Sequence, residues 1–448
     1  MTGKQLLFLT TANLASNPRL VKEIDLFSKA NKITVLLFKL GNWSDAINEE
    51  MMSNRTHIQF IQLDVTRSKY LKWLFWAVLE KKARMFWPIL KQSIWLTALA
   101  QTRRSIMLLT KGNHICRNTD LIIAHNPGAL YPAYALSKKW KTPFIYDIED
   151  YDPGIDVPNG GSHYIPVCER MLKNCLPQSK ALTSASPLIE EYTLALIGGH
   201  PNHSVILNSF PSDEFIPPLN REDKILKLVW FSQTISFGRG LEQLFAALLK
   251  IYQSEEIMPV KEKPEIHVTL IGNLDPSFEQ EIIVPFLKSL NDIEKSDKPK
   301  ETEKASDSPL QSIAIGVSKI LTILPPMAQS QLHAELANYD IGMALELDNT
   351  DLNRGLCLTN KIIAYAQAGL YLLATDTPAQ KQFMEEDSDR GIICGQRPVE
   401  IAKILDNLLS QKEELINTRS NRFKQGRELS WEKESEKLKQ IWQTILST

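Results

Sequence analysis

Thr359-Asn360-Lys361-Ile362-Ile363-Ala364-Tyr365-Ala366-Gln367-Ala368-Gly369-Leu370-Tyr371-Leu372-Leu373-Ala374-Thr375-Asp376 changes its hydrophobic period midway. Ile362, Ile363, Tyr365 and Ala366 fall on one apolar helical face, with Lys361 at the start of the helix. Gly369 ends it, because a left-handed cap costs glycine nothing. Leu370 to Thr375 then runs apolar without alternation, the pattern of a strand buried on both faces of a parallel sheet. Helix followed by buried parallel strand is the repeating unit of an α/β fold. Lys361 opposes the helix dipole unless an anion sits between it and the free N–H groups of the first turn. A phosphate there would suit both; a solvated lysine on an ordinary helix is the competing reading.

The same unit recurs along the chain. Gln5 to Thr11 reads as a strand, Asn17-Pro18 opens a helix carrying Leu20, Val21, Ile24, Leu26 and Phe27 inward, and Ile33 to Phe38 is the next strand. Strand, helix, strand is a right-handed crossover. Asp120 to Ala124 is a further strand that ends at His125-Asn126, followed by a helix to Trp140 and a strand Pro143 to Asp147 that leads to Glu149-Asp150. Open α/β sheets bind ligands at the C-terminal ends of their strands, which makes His125, Asn126, Glu149 and Asp150 candidates. The acids could equally cap a helix and meet water. Gly154 through Gly161 has the composition of a mobile loop over a cleft. Pro211, Pro217, Pro218 and the charges through Lys224 read as a linker over 211–224. Beyond it, Leu226 to Phe231, Ile266 to Gly272, Asp340 to Leu345 and Ile392 to Cys394 read as strands, and Trp431 to Leu446 as a closing helix. Their ends offer Gln233, Gly272-Asn273 and Glu346, and Gly238-Arg239-Gly240 starts a helix where guanidinium and N–H groups can grip a pyrophosphate. Residues 291–311 are polar and charged, the composition of a disordered excursion.

A chain of 448 residues with 43% hydrophobic content has enough apolar material for two cores. Its 51 basic and 52 acidic side chains leave a net charge of -1, which gives a nucleic acid no reason to bind. Five scattered cysteines without metal-ligand spacing point to reduced thiols and a cytoplasmic protein. The apolar run Leu6-Leu7-Phe8-Leu9 is too short for a signal peptide, and no window reaches the roughly 20 residues of a membrane span. Residues 69–104 stand apart: Trp73, Trp76, Trp87 and Trp95 lie among eight basic residues and one acid, Glu80. Divided into two helices at Pro88, the stretch reads as an interfacial binder of anionic membranes, peripheral on the inner face. A helix pair packed on the first domain with snorkelling lysines is the alternative. No metal or cofactor motif stands out.

Asn360-Lys361 through Ala368-Gly369 and Ala374-Thr375 resembles the NKxxEYxxAGxPVxAT block of GT-B glycosyltransferases near family 4. Asn17 to Glu23 is similar to their DxRVxKE opening, Asp120 to Asp147 to DxIHxHxxxxLxxAxxxxKxxxxPxVYD, Asn208 to Pro211 to their interdomain exit, and Gly238 to Glu242 to GxxxxxRGLE. The resemblance implies two Rossmann-like domains facing a central cleft. Residues 1–210 with 428–448 crossing back would form the acceptor domain, and 225–427 the nucleotide-sugar domain. It implies donor contacts at Gln233, Arg239, Gly240, Gly272, Asn273, Glu346, Asn360 and Lys361. Asn17, Arg19 and Asn126 would lie at the cleft, and His125, Glu149 or Asp150 would carry the chemistry. Arg239 and Lys361 would stabilise the leaving diphosphate in place of a metal. Two departures stand out: Ala364 replaces the ribose-binding Glu, and Glu149-Asp150 replaces His-Glu. The implied activity is sugar transfer from a nucleotide-sugar to a saccharide or lipid-linked acceptor, in cell-surface polysaccharide or glycolipid synthesis. A nucleotide-sugar 2-epimerase and a non-catalytic scaffold of the same fold are the alternatives.

Overall fold

The computed structural model describes residues 2–156, 163–219, 221, 225–253, 265–296, 320–347 and 351–447. They form two compact units: Met1–Asn208 with Asp351–Cys357 and Glu434–Thr448, and Ser209–Thr350 with Leu358–Lys433.

The first unit holds a seven-stranded sheet in the order β3-β2-β1-β4-β5-β6-β7. Its strands are β1 (Gln5–Thr10), β2 (Lys32–Lys39), β3 (Gln59–Asp64), β4 (Leu121–His125), β5 (Phe144–Ile148), β6 (Ala181–Ser184) and β7 (His203–Val205). Every pairing is parallel. β4 and β5 are buried along their whole length, as the unbroken apolar runs require. The order reverses between β1 and β4, the switch point where such sheets open a crevice. Helix α1 (Pro18–Ser28) starts as its sequence dictates: the Asn17 side chain accepts the Leu20 N–H at 3.0 Å and Pro18 needs no donor. The closing helix Trp431–Ser447 returns Trp442 to this core, stacked on Phe27 at 3.6 Å between ring centres.

Pro88 does not divide the tryptophan-rich stretch. Helix α2 (Tyr70–Leu90) runs through it, and the break falls before Ser93, whose hydroxyl accepts the Leu96 N–H and so caps helix α3 (Ile94–Gln101). Proline lacks a donor and crowds the carbonyl four residues back, and the helix continues only two residues past it, to Leu90. The tryptophans also face differently from an interfacial belt. Trp87 is buried and donates to Thr97 Oγ1, Trp73 has the Arg67 and Arg103 guanidinium groups 4.9 and 5.4 Å from its ring centre, and of the four only Trp95 is exposed.

The second unit repeats the theme with the order β10-β9-β8-β11-β12-β13. Here β8 is Leu226–Ile235, β9 Ile266–Leu274, β10 Leu321–Leu324, β11 Ile341–Ala344, β12 Tyr371–Thr375 and β13 Gly391–Cys394. Counted from β8, this is the 3-2-1-4-5-6 order of a Rossmann sheet, again reversing at one point, between β8 and β11. Two sheets of this kind meet the α/β expectation. Helix α4 (Pro127–Trp140) follows β4 in the first unit; helix α5 (Leu241–Gln253) follows β8 and helix α6 (Asn360–Gln367) precedes β12 in the second. Gly369 ends α6 at φ +72, and a Cβ there would lie 2.5 Å from the Phe423 nitrogen. Linker residues pack within this unit, with the Leu219 N–H on the Ala337 carbonyl and Arg221 on Asp340 at 2.6 Å. Linker positions 220 and 222–224, loop positions 157–161 and the polar stretch from 297 to 311 lie outside the described residues; 291–296 continue a helix, Val284–Ser296.

Candidate functional site

In the first unit the strand register builds a row of polar side chains. Thr10 pairs with His125, His125 with Asp147, and Asp147 with Thr183. Partners in register point to the same face, so four strands deliver these groups side by side at their C-terminal ends. His125 is wholly buried, with Nδ1 3.2 Å from Glu149 Oε1 and 3.4 Å from Asp147 Oδ2, and Nε2 3.4 Å from Glu23 Oε2. Burial works against the imidazolium, but Glu23 first, then Asp147 and Glu149, overcome it and hold the His125 pKa well above its ordinary value. Burial pushes the Glu23 carboxyl up, against the pull of His125. Asp147 is the reverse case: burial pulls its pKa up, yet Arg19 and His125 keep it far below the usual carboxylate range.

Arg19 is neither a surface cation nor open to a ligand. Its Nε and Nη2 donate to Asp147 Oδ2 and Oδ1 at 2.7 and 2.6 Å, and Nη1 donates to the Ile206 carbonyl at 2.7 Å. Asn17 is buried as the helix cap. Asn126 is held at φ 70, ψ 149, a conformation that is costly for a residue with a Cβ and that clusters at functional sites. It accepts from Thr10 Oγ1 at 2.5 Å and reaches Glu149 Oε2 at 3.4 Å. Glu149 is the partly open member of the group, with a side chain 20% exposed. Asp150 is exposed and gripped from far along the chain: Asn353 Nδ2 donates to it at 2.9 Å, while Asn353 Oδ1 accepts the Tyr151 N–H at 2.7 Å. Glu23, His125 and Asp147 lie close enough together to share an ion. Both Asp147 oxygens already accept from Arg19, and Oδ1 also from Thr183, so an ion would meet a guanidinium there.

Sequence reasoning missed Glu23, Asp147, Thr183 and Asn353. Glu23 was within reach, since a residue four places after Arg19 shares its helix face. Asn353 gave no signal; it joins Asp150 only through the fold.

The second unit gathers its candidates around β8 and β11. The β8–β9 register shifts between Phe231 and Thr234, which sets exposed Gln233 at an irregularity of the kind that re-aims side chains beside sites. Gly272 lies so close that a Cβ would come 2.3 Å from the Ser232 carbonyl oxygen. Gly240, at φ +77, brings the start of α5 against Leu345, where a Cβ would fall 2.6 Å from the Leu345 Cβ. Arg239 is half-buried in this loop, and Asn273 and Asn360 are exposed. Lys361 is not solvated: it is 7% exposed, its Nζ is 2.6 Å from Glu346 Oε1 and 5.3 Å from the centre of the buried Trp230 ring. Glu346 is clamped in turn, its N–H donating to Thr375 Oγ1 at 2.8 Å and its carbonyl accepting from the same hydroxyl at 2.5 Å. Ala364 is fully buried, and next to it the Tyr365 hydroxyl accepts the Phe231 N–H at 3.3 Å.

No family model matches the chain, and no curated protein does. Solved structures do. Anabaena HepE in complex with UDP and glucose is similar over 99% of this chain and 100% of its own, at 15% identity and TM-score 0.59. Sucrose-phosphate synthase from Thermosynechococcus elongatus is similar over 99% and 100%, at 12% and 0.61. The lipopolysaccharide outer core galactosyltransferase WaaB in its apo form is similar over 98% and 99%, at 10% and 0.57. The chain therefore has the GT-B fold, the two-Rossmann architecture of these glycosyltransferases.

Proposed function

We propose that the chain is a glycosyltransferase whose second unit binds a nucleotide-sugar and whose first unit handles the acceptor. One observation carries the reading. Lys361 is buried and held in place by Glu346 and Trp230 beside the switch point, and the Gly238-Arg239-Gly240 loop starts α5 on the same β8–β11 edge. A diphosphate at that edge would be met by Lys361, by Arg239 and by the first-turn N–H groups of α5, which together stabilise the charge that develops as the nucleotide leaves. Such a clamp does the work of a metal ion. That HepE was solved with UDP and with UDP-glucose makes uridine nucleotides the first donors to test. In the first unit Glu149, backed by His125, is the carboxylate placed to receive the acceptor's proton.

Helix α2 supports a lipid-linked acceptor at a membrane surface, of the kind used in cell-surface polysaccharide or glycolipid synthesis. Its inward stripe is Trp73, Trp76, Ala83 and Trp87, yet the opposite stripe is also apolar. There Leu71 is 81% exposed, Phe75 59%, Met85 63% and Ile89 78%. Glu80 is bound to Arg84 at 2.5 Å on the packed side, which leaves Lys72, Lys81, Lys82 and Lys91 exposed around the outer stripe. Apolar side chains ringed by lysines suit the boundary of an anionic bilayer. Among the described residues no helix is long and apolar enough to cross a membrane.

The test is a thermal-shift screen with UDP-, GDP- and ADP-sugars, followed by a donor-hydrolysis assay. A donor that raises the melting temperature and is slowly hydrolysed supports the reading. Binding without turnover would favour the scaffold, to which the buried Ala364 lends weight. No shift with any donor would refute the nucleotide site.

A further inference from the structure

The charges under β4 are out of balance. Glu23, Asp147 and Glu149 supply three carboxylates, against Arg19 and His125. Arg19 is committed to Asp147 and the Ile206 carbonyl, so among the described residues His125 is the cation that faces the other two acids, with the uncharged Asn126 Nδ2 also donating to Glu149 at 3.4 Å. A neutral imidazole carries a lone pair on one ring nitrogen. With carboxylate oxygens 3.2 Å from Nδ1 and 3.4 Å from Nε2, that lone pair would face an anion on either side. Protonated on both nitrogens, the ring offers an N–H to Glu149 at Nδ1 and places its positive charge 3.4 Å from Glu23 at Nε2, an ion-pair contact without a hydrogen bond. The charged groups facing it are Arg19 and Glu23 from α1 and Asp147 and Glu149 from β5 and the loop after it; β1 contributes the uncharged Phe8 ring, stacked at 6.4 Å. Glu23 is 4% exposed, on a helix that packs the apolar Leu20, Ile24 and Phe27 into the same core. An apolar residue would fill that position without the cost of desolvating a carboxylate, so packing does not account for it.

We propose that Glu23 is a positioning residue for the acceptor-side carboxylate: it keeps His125 as the imidazolium, so that a fixed buried cation meets Glu149 from inside the sheet. This rests on the transferase reading. In that reaction the acceptor oxygen bonds to the anomeric carbon, and the bond from that carbon to the diphosphate oxygen breaks with its electron pair leaving on the nucleotide. The hydroxyl proton passes to Glu149. The imidazolium aims Glu149 through Oε1 and leaves Oε2 as the oxygen that takes the proton. Burial raises Glu23 against the pull of His125, and Glu23, Asp147 and Glu149 raise His125 against its burial.

The experiment is NMR of the full chain labelled in its histidine rings, with the His125 signal identified by its loss in H125Q. In the unmodified chain the ring should stay charged through neutral pH. In E23Q its titration midpoint should fall by about one pH unit or more, as expected when an opposite charge a few Å away is removed. E23D, with its charge one methylene further off, should fall in between, and it reads the same pair if E23Q does not fold. An unchanged midpoint in both variants overturns the proposal, because His125 would then owe its charge to Asp147 and Glu149 alone. The measurement needs neither donor nor acceptor. A chain that transfers no sugar would refute the transferase reading while this result still decided the pair. Where transfer is measurable, E23Q should lower kcat and leave the donor KM unchanged, with E23D restoring part of it.

Discussion

Replacing Lys361 with methionine separates a structural ion pair from a donor contact. The pair is 2.6 Å long, with side chains 9% and 13% exposed. At an effective dielectric of about 20 the attraction at that distance is about 6 kcal/mol. Desolvation of both groups takes back most of it. What the single substitution leaves behind is Glu346 as a buried carboxylate without its cation, at a cost of about 3 kcal/mol. For a unit of this size that corresponds to a fall of about 10 °C in the melting transition of the second unit. E346Q in the same chain removes the stranded charge, so K361M/E346Q should recover most of the stability. Turnover should behave differently. If Lys361 stabilises the leaving diphosphate, K361M loses roughly 100-fold in kcat/KM, and the double variant stays equally poor because the cation is still missing. The two measurements are calorimetric melting and initial rates with the donor found by screening, arranged as a double-mutant cycle. Recovery of turnover together with stability in the double variant would refute the donor role and leave Lys361 as a structural partner of Glu346.

The charge network of the first unit predicts a pH dependence of stability. His125 has a folded pKa above its ordinary 6.5, so its contribution is complete below that value and is lost as pH rises through the folded one; H125Q should flatten the alkaline fall of the melting temperature. Asp147 has the opposite sign: its contribution is present above the usual carboxylate range and fades only as pH falls through its depressed folded value, so it should survive mild acid. Asn353→Ala should destabilise the first unit by about 1–3 kcal/mol in urea unfolding, because the buried Tyr151 N–H loses its acceptor. In co-sedimentation, anionic vesicles should bind the chain, salt should weaken the binding, and K81E/K82E should weaken it further without changing the melting temperature. F75S/I89S should abolish it, and vesicle binding that ignores both lipid charge and these substitutions would leave α2 as ordinary surface.

The fold class was legible because it is written in local periods. Unbroken apolar runs such as Leu121-Ile122-Ile123-Ala124 declare strands buried on both faces, and Asn17-Pro18 and Gly369 mark helix ends by backbone chemistry that needs no distant partner. The candidate site was legible only in part. Strand ends pointed to His125, Glu149 and Glu346, but whether each is free or paired depends on what packs against it. Arg19 read as a cleft or surface cation and lies buried on Asp147, 128 residues away; Lys361 read as a phosphate ligand or a solvated lysine and lies buried on Glu346. Pairings of that kind follow from strand register and helix docking, which no single segment encodes. The same holds for α2, whose composition read as a membrane-interface stretch but whose Trp73, Trp76 and Trp87 turn inward, a choice made by what packs against the helix. Sequence determined where the unbroken apolar strands and the helix caps fall, though not the short or edge strands β3, β7 and β10; tertiary packing decided which of the charged residues at the strand ends meet one another.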